Sequence, residues 1–175
     1  MNSITQVPVW FERKFDFLFP VDLLPSILVR LRGTPARLEE MLRGRPQEIL
    51  ARRVQGKWSA QEHAGHLLDL EPLWLARVGD YVAARSELTA ADLTNRKTDE
   101  ADHNARPLEQ IFAEFRAARE ELLKRVEELD VSLFARALPH PRLKTPMRLV
   151  DHLYFVAEHD DHHLARMWEL VSVVR

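Results

Sequence analysis

His159 and His163 stand four residues apart within Tyr154 to Arg166, a stretch that reads as the middle of a long helix. That spacing is one helical turn, so both imidazoles can point the same way. Two histidines so placed can offer a transition metal two nitrogen ligands, as on the zinc-binding helix of metalloproteases. A third ligand has to come from elsewhere. The chain has no cysteine, which excludes disulfides, thiolate ligands and a cysteine nucleophile. Any metal must be held by histidine and carboxylate, leaving Zn, Ni, Fe, Mn or Co open.

The helix carrying this pair has a clear seam. Leu149, Leu153, Val156, Asp160, His163, Met167, Leu170 and Val174 step by four and three, the spacing of a helix bundle. Asp160 and His163 interrupt it, and His159 lies on its flank. A second line, Ala64, Leu67, Glu71, Trp74, Val78 and Tyr81, is broken by Glu71, with His66 beside it. An unpaired buried carboxylate costs several kcal/mol, so breaks in two helices point to one polar site shared between them. Inward-facing Glu and His sets in di-iron bundles are the precedent.

Taken alone, these residues leave alternatives open. His159 and His163 fit a metal pair or a buried His–Asp hydrogen bond. His66 alone fits a core-edge histidine bonded to a carbonyl or carboxylate. Glu71 and Asp160 either orient metal-bound imidazoles or pair with arginine or lysine. Trp58 and His63 occupy the two positions of a hydrophobic staple at a helix start. His162 is expected to face solvent or a partner, and His152, two turns before His159, to line or support the site. His103 or Asp102 is expected to reach over the open face, and Arg166 is a possible anion contact. The arginines of the first half, Arg30 to Arg53, are interspersed with acids and read as a solvated face.

Only 5 glycines occur and no strand-like alternation is evident, so the expected class is all-α. The first helical region runs from about Asp22 to Arg43. Thr34-Pro35 inside it has the form of a cap followed by a first-turn proline, so the region is two helices or one kinked helix. Ser59-Ala60-Gln61-Glu62 spells a capping box that opens the second helix, which runs to about Ala84 with a possible bend at Pro72. A long polar segment from Ser86 to Arg106 follows, of a length that is often functional. Pro107 opens a third helix to about Leu129, a short element covers Val131 to Ala137, and Thr145-Pro146 starts the last helix. The expected architecture is an up-down four-helix bundle with a long connection between the second and third helices. It forms a single domain spanning residues 1–175.

A net charge of -2 from 25 basic and 27 acidic residues gives no reason to propose nucleic acid or an anionic membrane as partner. The first residues lack a signal-peptide pattern and no apolar run is long enough to cross a bilayer, so a cytoplasmic protein is expected.

Trp58-Ser59-x-x-Glu62-x-x-x-His66-Leu67-x-x-x-Glu71, followed far downstream by His159-x-x-x-His163, resembles the DinB/YfiT-like metalloenzyme family. The resemblance covers most of the chain. It implies a four-helix bundle in which His66, His159 and His163 bind one divalent metal, commonly Zn or Ni. It further implies a small-molecule substrate, frequent homodimers and, among relatives, S-transferases that use a low-molecular-weight thiol. Three neutral imidazoles leave coordination positions open, and such a metal lowers the pKa of a bound water or thiol. The expected function is therefore a metal-dependent transferase or hydrolase. The alternative is a non-catalytic metal-binding or stress-associated homodimer.

Overall fold

The computed structural model describes residues 6–172. Six α-helices occur in it: α1 (Leu24–Leu42), α2 (Gln47–Leu50), α3 (Ala60–Val82), α4 (Arg96–Glu100), α5 (Leu108–Glu127) and α6 (Leu149–Ser172). The four long ones form the expected bundle. Their neighbour order is not sequential, however. Helix α3 packs against α5 and α6, and α1 packs against those same two, so α1 and α3 face each other across the diagonal. The long connectors before α3 and α6 make this crossing possible. The last step of the α6 seam, at Val174, lies outside the described residues.

Apolar periodicity explains each long helix. The α3 line from Ala64 to Tyr81 is buried throughout, and Ile111, Phe112, Phe115, Leu122 and Val126 bury the facing side of α5. At the start of α3 both halves of the capping box form: Ser59 Oγ accepts from the Glu62 amide, and Glu62 Oε2 accepts from the Ser59 amide at 2.8 Å. Arg53 also binds the Glu62 carboxylate.

Each seam carries one polar residue at the same level of the bundle: Thr34, Glu71, Arg119 and Asp160. Together they form a buried cluster. The Arg119 guanidinium donates to Glu71 Oε1 at 2.6 Å and to Asp160 Oδ2 at 2.6 Å, and Thr34 Oγ1 donates to the same Asp160 oxygen at 2.8 Å. Of the two roles open to Glu71 and Asp160, the structure shows pairing with arginine. Thr34-Pro35 does not divide the first helix; α1 is continuous through Pro35. Proline lacks the N–H that would bond the carbonyl four residues back, and that carbonyl, Leu31 O, accepts from Arg119 Nη1 at 3.1 Å instead.

One feature departs from the all-helical expectation in detail. Residues Ala137–Pro139 (β1) and Pro146–Arg148 (β2) pair as a small antiparallel hairpin, and α6 starts after it at Leu149 rather than at Thr145. Strands this short, each with a terminal proline, show no alternation to read. The hairpin is anchored by Tyr81, whose hydroxyl donates to Met147 O at 2.8 Å. The polar segment from Ser86 to Arg106 is also more ordered than a plain loop. It contains α4 and a turn of 3-10 helix at His103–Ala105, and Gln61 Nε2 pins its end by donating to the carbonyls of His103 and Arg106.

Candidate metal centre

The bundle brings His66 on α3 together with His159 and His163 on α6. One ring nitrogen from each lies within 4.8 Å of the others, and all three residues are buried. The Nε2 atoms of His159 and His163 are 3.1 Å apart. Two ligands at about 2.0–2.1 Å from a tetrahedral ion are separated by about 3.3 Å, so this pair is spaced for a shared cation. A hydrogen bond between the two rings would also satisfy that distance, but it leaves the convergence of His66 unexplained.

Outer contacts set the available nitrogens. Thr98 Oγ1 donates to Asp69 Oδ2 at 2.9 Å and lies 3.0 Å from His66 Nδ1. With its own hydrogen given to Asp69, the hydroxyl accepts from Nδ1–H, which leaves the lone pair of His66 on Nε2. His163 Nδ1 lies 2.8 Å from His63 Nδ1. Donation from His163 to His63 likewise frees His163 Nε2. Burial holds His159 and His163 far below the ordinary histidine range and brings His66 to about 4. All three rings are therefore neutral at neutral pH, as metal ligation requires. The buried Nδ1 of His159 has no hydrogen-bond partner among the described residues.

The three rings open onto a cavity of about 430 Å³. Trp58 lies over the site, 4.7 Å from the His66 ring and 5.6 Å from that of His63. From the N-terminal segment, Trp10 packs edge-on against His159 at 5.0 Å. The set thus sits in an aromatic wall.

Other histidines fall differently from expectation. His63 does meet Trp58 as a staple, but it also bonds His163. His162 does not face away; it lines the cavity beside the triad, 5.1 Å from His163 and 5.4 Å from Trp10 between ring centres. Burial, then Arg166 and Arg13, lower it to about 4. The N-terminal segment, through Trp10, covers a residue that helical geometry alone assigns to the outside. His103 does not reach over the open face. It is buried behind α3, its Nε2 2.8 Å from Asp69 Oδ2, in the space left by Gly65. Asp102 turns the backbone there with a positive φ of 46°. His152 is fully buried with neither ring nitrogen hydrogen-bonded among the described residues, beside Trp74 and Tyr81 and outside the cavity wall. Arg166 pairs with Glu169.

The family model of the DinB superfamily matches residues 30–167. The chain belongs to the DinB superfamily. No curated protein matches it. Among solved structures it is similar to YfiT from Bacillus subtilis, described as a probable metal-dependent hydrolase with an unusual four-helix bundle topology. The TM-score is 0.79 at 19% identity, over 92% of this chain and 93% of that one. At that identity the likeness is one of fold. Within this DinB-superfamily bundle, reasoning from the sequence missed Arg119, His63 and the aromatic segment around Trp10. Arg119 carried a signal, since it interrupts the α5 apolar line between Phe115 and Leu122 as Glu71 and Asp160 interrupt theirs. The approach of Trp10 carried none, because it depends on a contact between the two ends of the chain.

Proposed function

We propose that this DinB-superfamily chain is a divalent-metal-dependent enzyme that activates a small nucleophile, water or the thiol of a cosubstrate, against an electrophilic substrate held in the cavity. One observation carries the reading: three neutral imidazoles from two helices converge at the wall of a substrate-sized cavity rather than in a closed shell. A structural site is closed, whereas a catalytic one keeps a position open. A divalent ion bound there supplies Lewis acidity and makes a nucleophile available near neutral pH. The description of YfiT as a probable metal-dependent hydrolase agrees with the hydrolytic branch. The absence of cysteine agrees with a sulfur that arrives on a cosubstrate.

The chain's own residues have defined parts in this reading. His66, His159 and His163 hold the ion, with Zn or Ni the metals that the family resemblance favours. Thr98 and Asp69 orient His66, and His63 orients His163. Trp10 and Trp58 exclude bulk water. His162, neutral and on the cavity wall beside the set, faces the space in which the substrate would lie. The test uses untagged protein: metal content by mass spectrometry, and turnover of an activated ester and of an alkylating electrophile, each with and without a small thiol. Stoichiometric metal with turnover supports the proposal, and thiol dependence separates transfer from hydrolysis. Stoichiometric metal with no turnover of either probe favours the non-catalytic alternative.

A further inference from the structure

Away from the three histidines, the same cavity is walled by Arg77, His140 and Arg142. Arg77 is 2% exposed and His140 2% exposed, yet among the described residues no carboxylate forms an ion pair with either arginine. Arg77 donates from Nε to Thr89 O at 2.9 Å, a neutral acceptor. Asp92, the cavity's own carboxylate, is engaged in its loop by Thr94 and Arg96. Burial brings the Arg77 guanidinium down to about 10, a lowering that Tyr81 and Asp80 offset only in part.

The hydrogen bonds around His140 sharpen this. Its Nδ1 accepts from the amides of Arg142 and Leu143 at 3.2 and 3.1 Å, which places the ring proton on Nε2. That Nε2 lies 3.3 Å from Arg77 Nη1, which is also a donor. A neutral imidazole has one lone pair, so two N–H groups stand side by side here without an acceptor between them. A third donor, Arg142 Nη2, is buried without a hydrogen-bond partner among the described residues. Arg142 is held over the Phe11 and Phe155 rings at 5.3 and 5.9 Å. Buried donors normally have acceptors, and three donors with two positive charges select an oxyanion.

We infer that Arg77, His140 and Arg142 form an oxyanion subsite, and that the cavity binds an organic acid, a carboxylate, sulfonate or phosphate, whose anionic head lies there. Eleven residues separate His66 from Arg77 on α3, close to three full turns. The two therefore share a face about 16 Å apart along the axis. Trp74 spans the interval, 5.6 Å from the His159 ring and 5.5 Å from the Arg77 guanidinium. The ligand is thus an elongated one, with an apolar or aromatic middle on Trp74 and its reacting end at the imidazoles. Its placement as substrate rests on the enzymatic reading above; the anion subsite itself does not.

The test compares two fluorescent probes that differ in one group, anilinonaphthalene sulfonate and the uncharged phenylnaphthylamine. Titrations use the full chain, both chelator-treated and metal-loaded. The sulfonate is expected to bind at one site about tenfold or more tighter than the neutral probe, in both metal states. Inorganic phosphate should compete with it alone. Arg77→Met and Arg142→Met should each remove most of that advantage while leaving the neutral probe's affinity unchanged, which also reports an intact cavity. If Arg77→Met does not fold, Arg142→Met, in a loop outside the helices, decides. Equal affinity for the two probes, or an advantage that survives the arginine variants, overturns the subsite. Metal content, measured on the same samples, fails or holds independently and reports on the three-histidine reading.

Discussion

Removing one imidazole from the three-nitrogen set leaves two ligands, too few to retain a divalent ion against water. His66→Ala, His159→Ala and His163→Ala are each expected to bring the metal content of untagged protein close to zero while helix content stays near wild type. His162→Ala should keep its metal, because its ring lines the cavity without joining the set. Mass spectrometry of the four variants checks this, and equal metal in all four would remove the ligand assignment. Arg119 gives a separate test. Among the described residues it is the single cation paired with these two buried carboxylates, and burial already raises Glu71 toward its neutral form. Arg119→Met is expected to destabilise by about 3–5 kcal/mol by denaturant unfolding, since it leaves uncompensated buried charge. Adding Glu71→Gln and Asp160→Asn should recover part of that loss. The histidine pair was legible because helical spacing is written locally. The Arg119 cluster was only half legible: Glu71 and Asp160 showed as breaks, but their common partner depends on which helices are neighbours.

Among the elements, α3 carries most of the positioning. A Cβ on Gly65 would lie 2.2 Å from the buried His103 ring. Gly65→Ala gains about 0.5–1 kcal/mol of helix propensity, but overpacking costs about 1–3 kcal/mol, so net destabilisation is expected. The displaced His103 would release Asp69 and loosen the orientation of His66. Reduced metal affinity with the helices intact is the readout. The start of α3 is pH-sensitive. Burial alone would raise Glu62, but its bonds from Arg53 and Ser59 outweigh that and hold it at about 2. Since its folded pKa lies below the unfolded value of about 4.3, its stabilisation is complete above that value. It is lost as pH falls toward 2. Glu62→Gln should therefore be less stable than wild type at pH 7, with the difference shrinking as acid unfolding is followed below about pH 4. The capping box behind this was readable in four residues. The hairpin at Ala137–Pro139 and Pro146–Arg148 was not, because it is fixed by Tyr81 and Leu88 from distant parts of the chain rather than by its own pattern.

For the molecule as a whole, apolar packing lies on both sides of the polar layer, with one cluster around Trp74, Tyr81 and Leu153 and another around Leu38, Phe115 and Met167. The bundle is therefore expected to form without an ion. Chelation is expected to lower the melting temperature of metal-loaded protein by mass action yet leave the far-ultraviolet helix signal at room temperature unchanged. Loss of that signal on chelation would instead mark the metal as a structural clamp. Four amphipathic helices were predictable from periodicity. Their diagonal order, the N-terminal cover over His159 and the cationic end of the cavity were not, since each arises only when segments far apart in the chain meet. The central claim is that one cation sits among His66, His159 and His163 with a side open to the cavity. An anomalous difference map at the metal absorption edge, from crystals of untagged, metal-loaded protein, tests it most directly. The prediction is a single strong peak within ligand distance of all three imidazoles; a peak at other residues, or none, would contradict it.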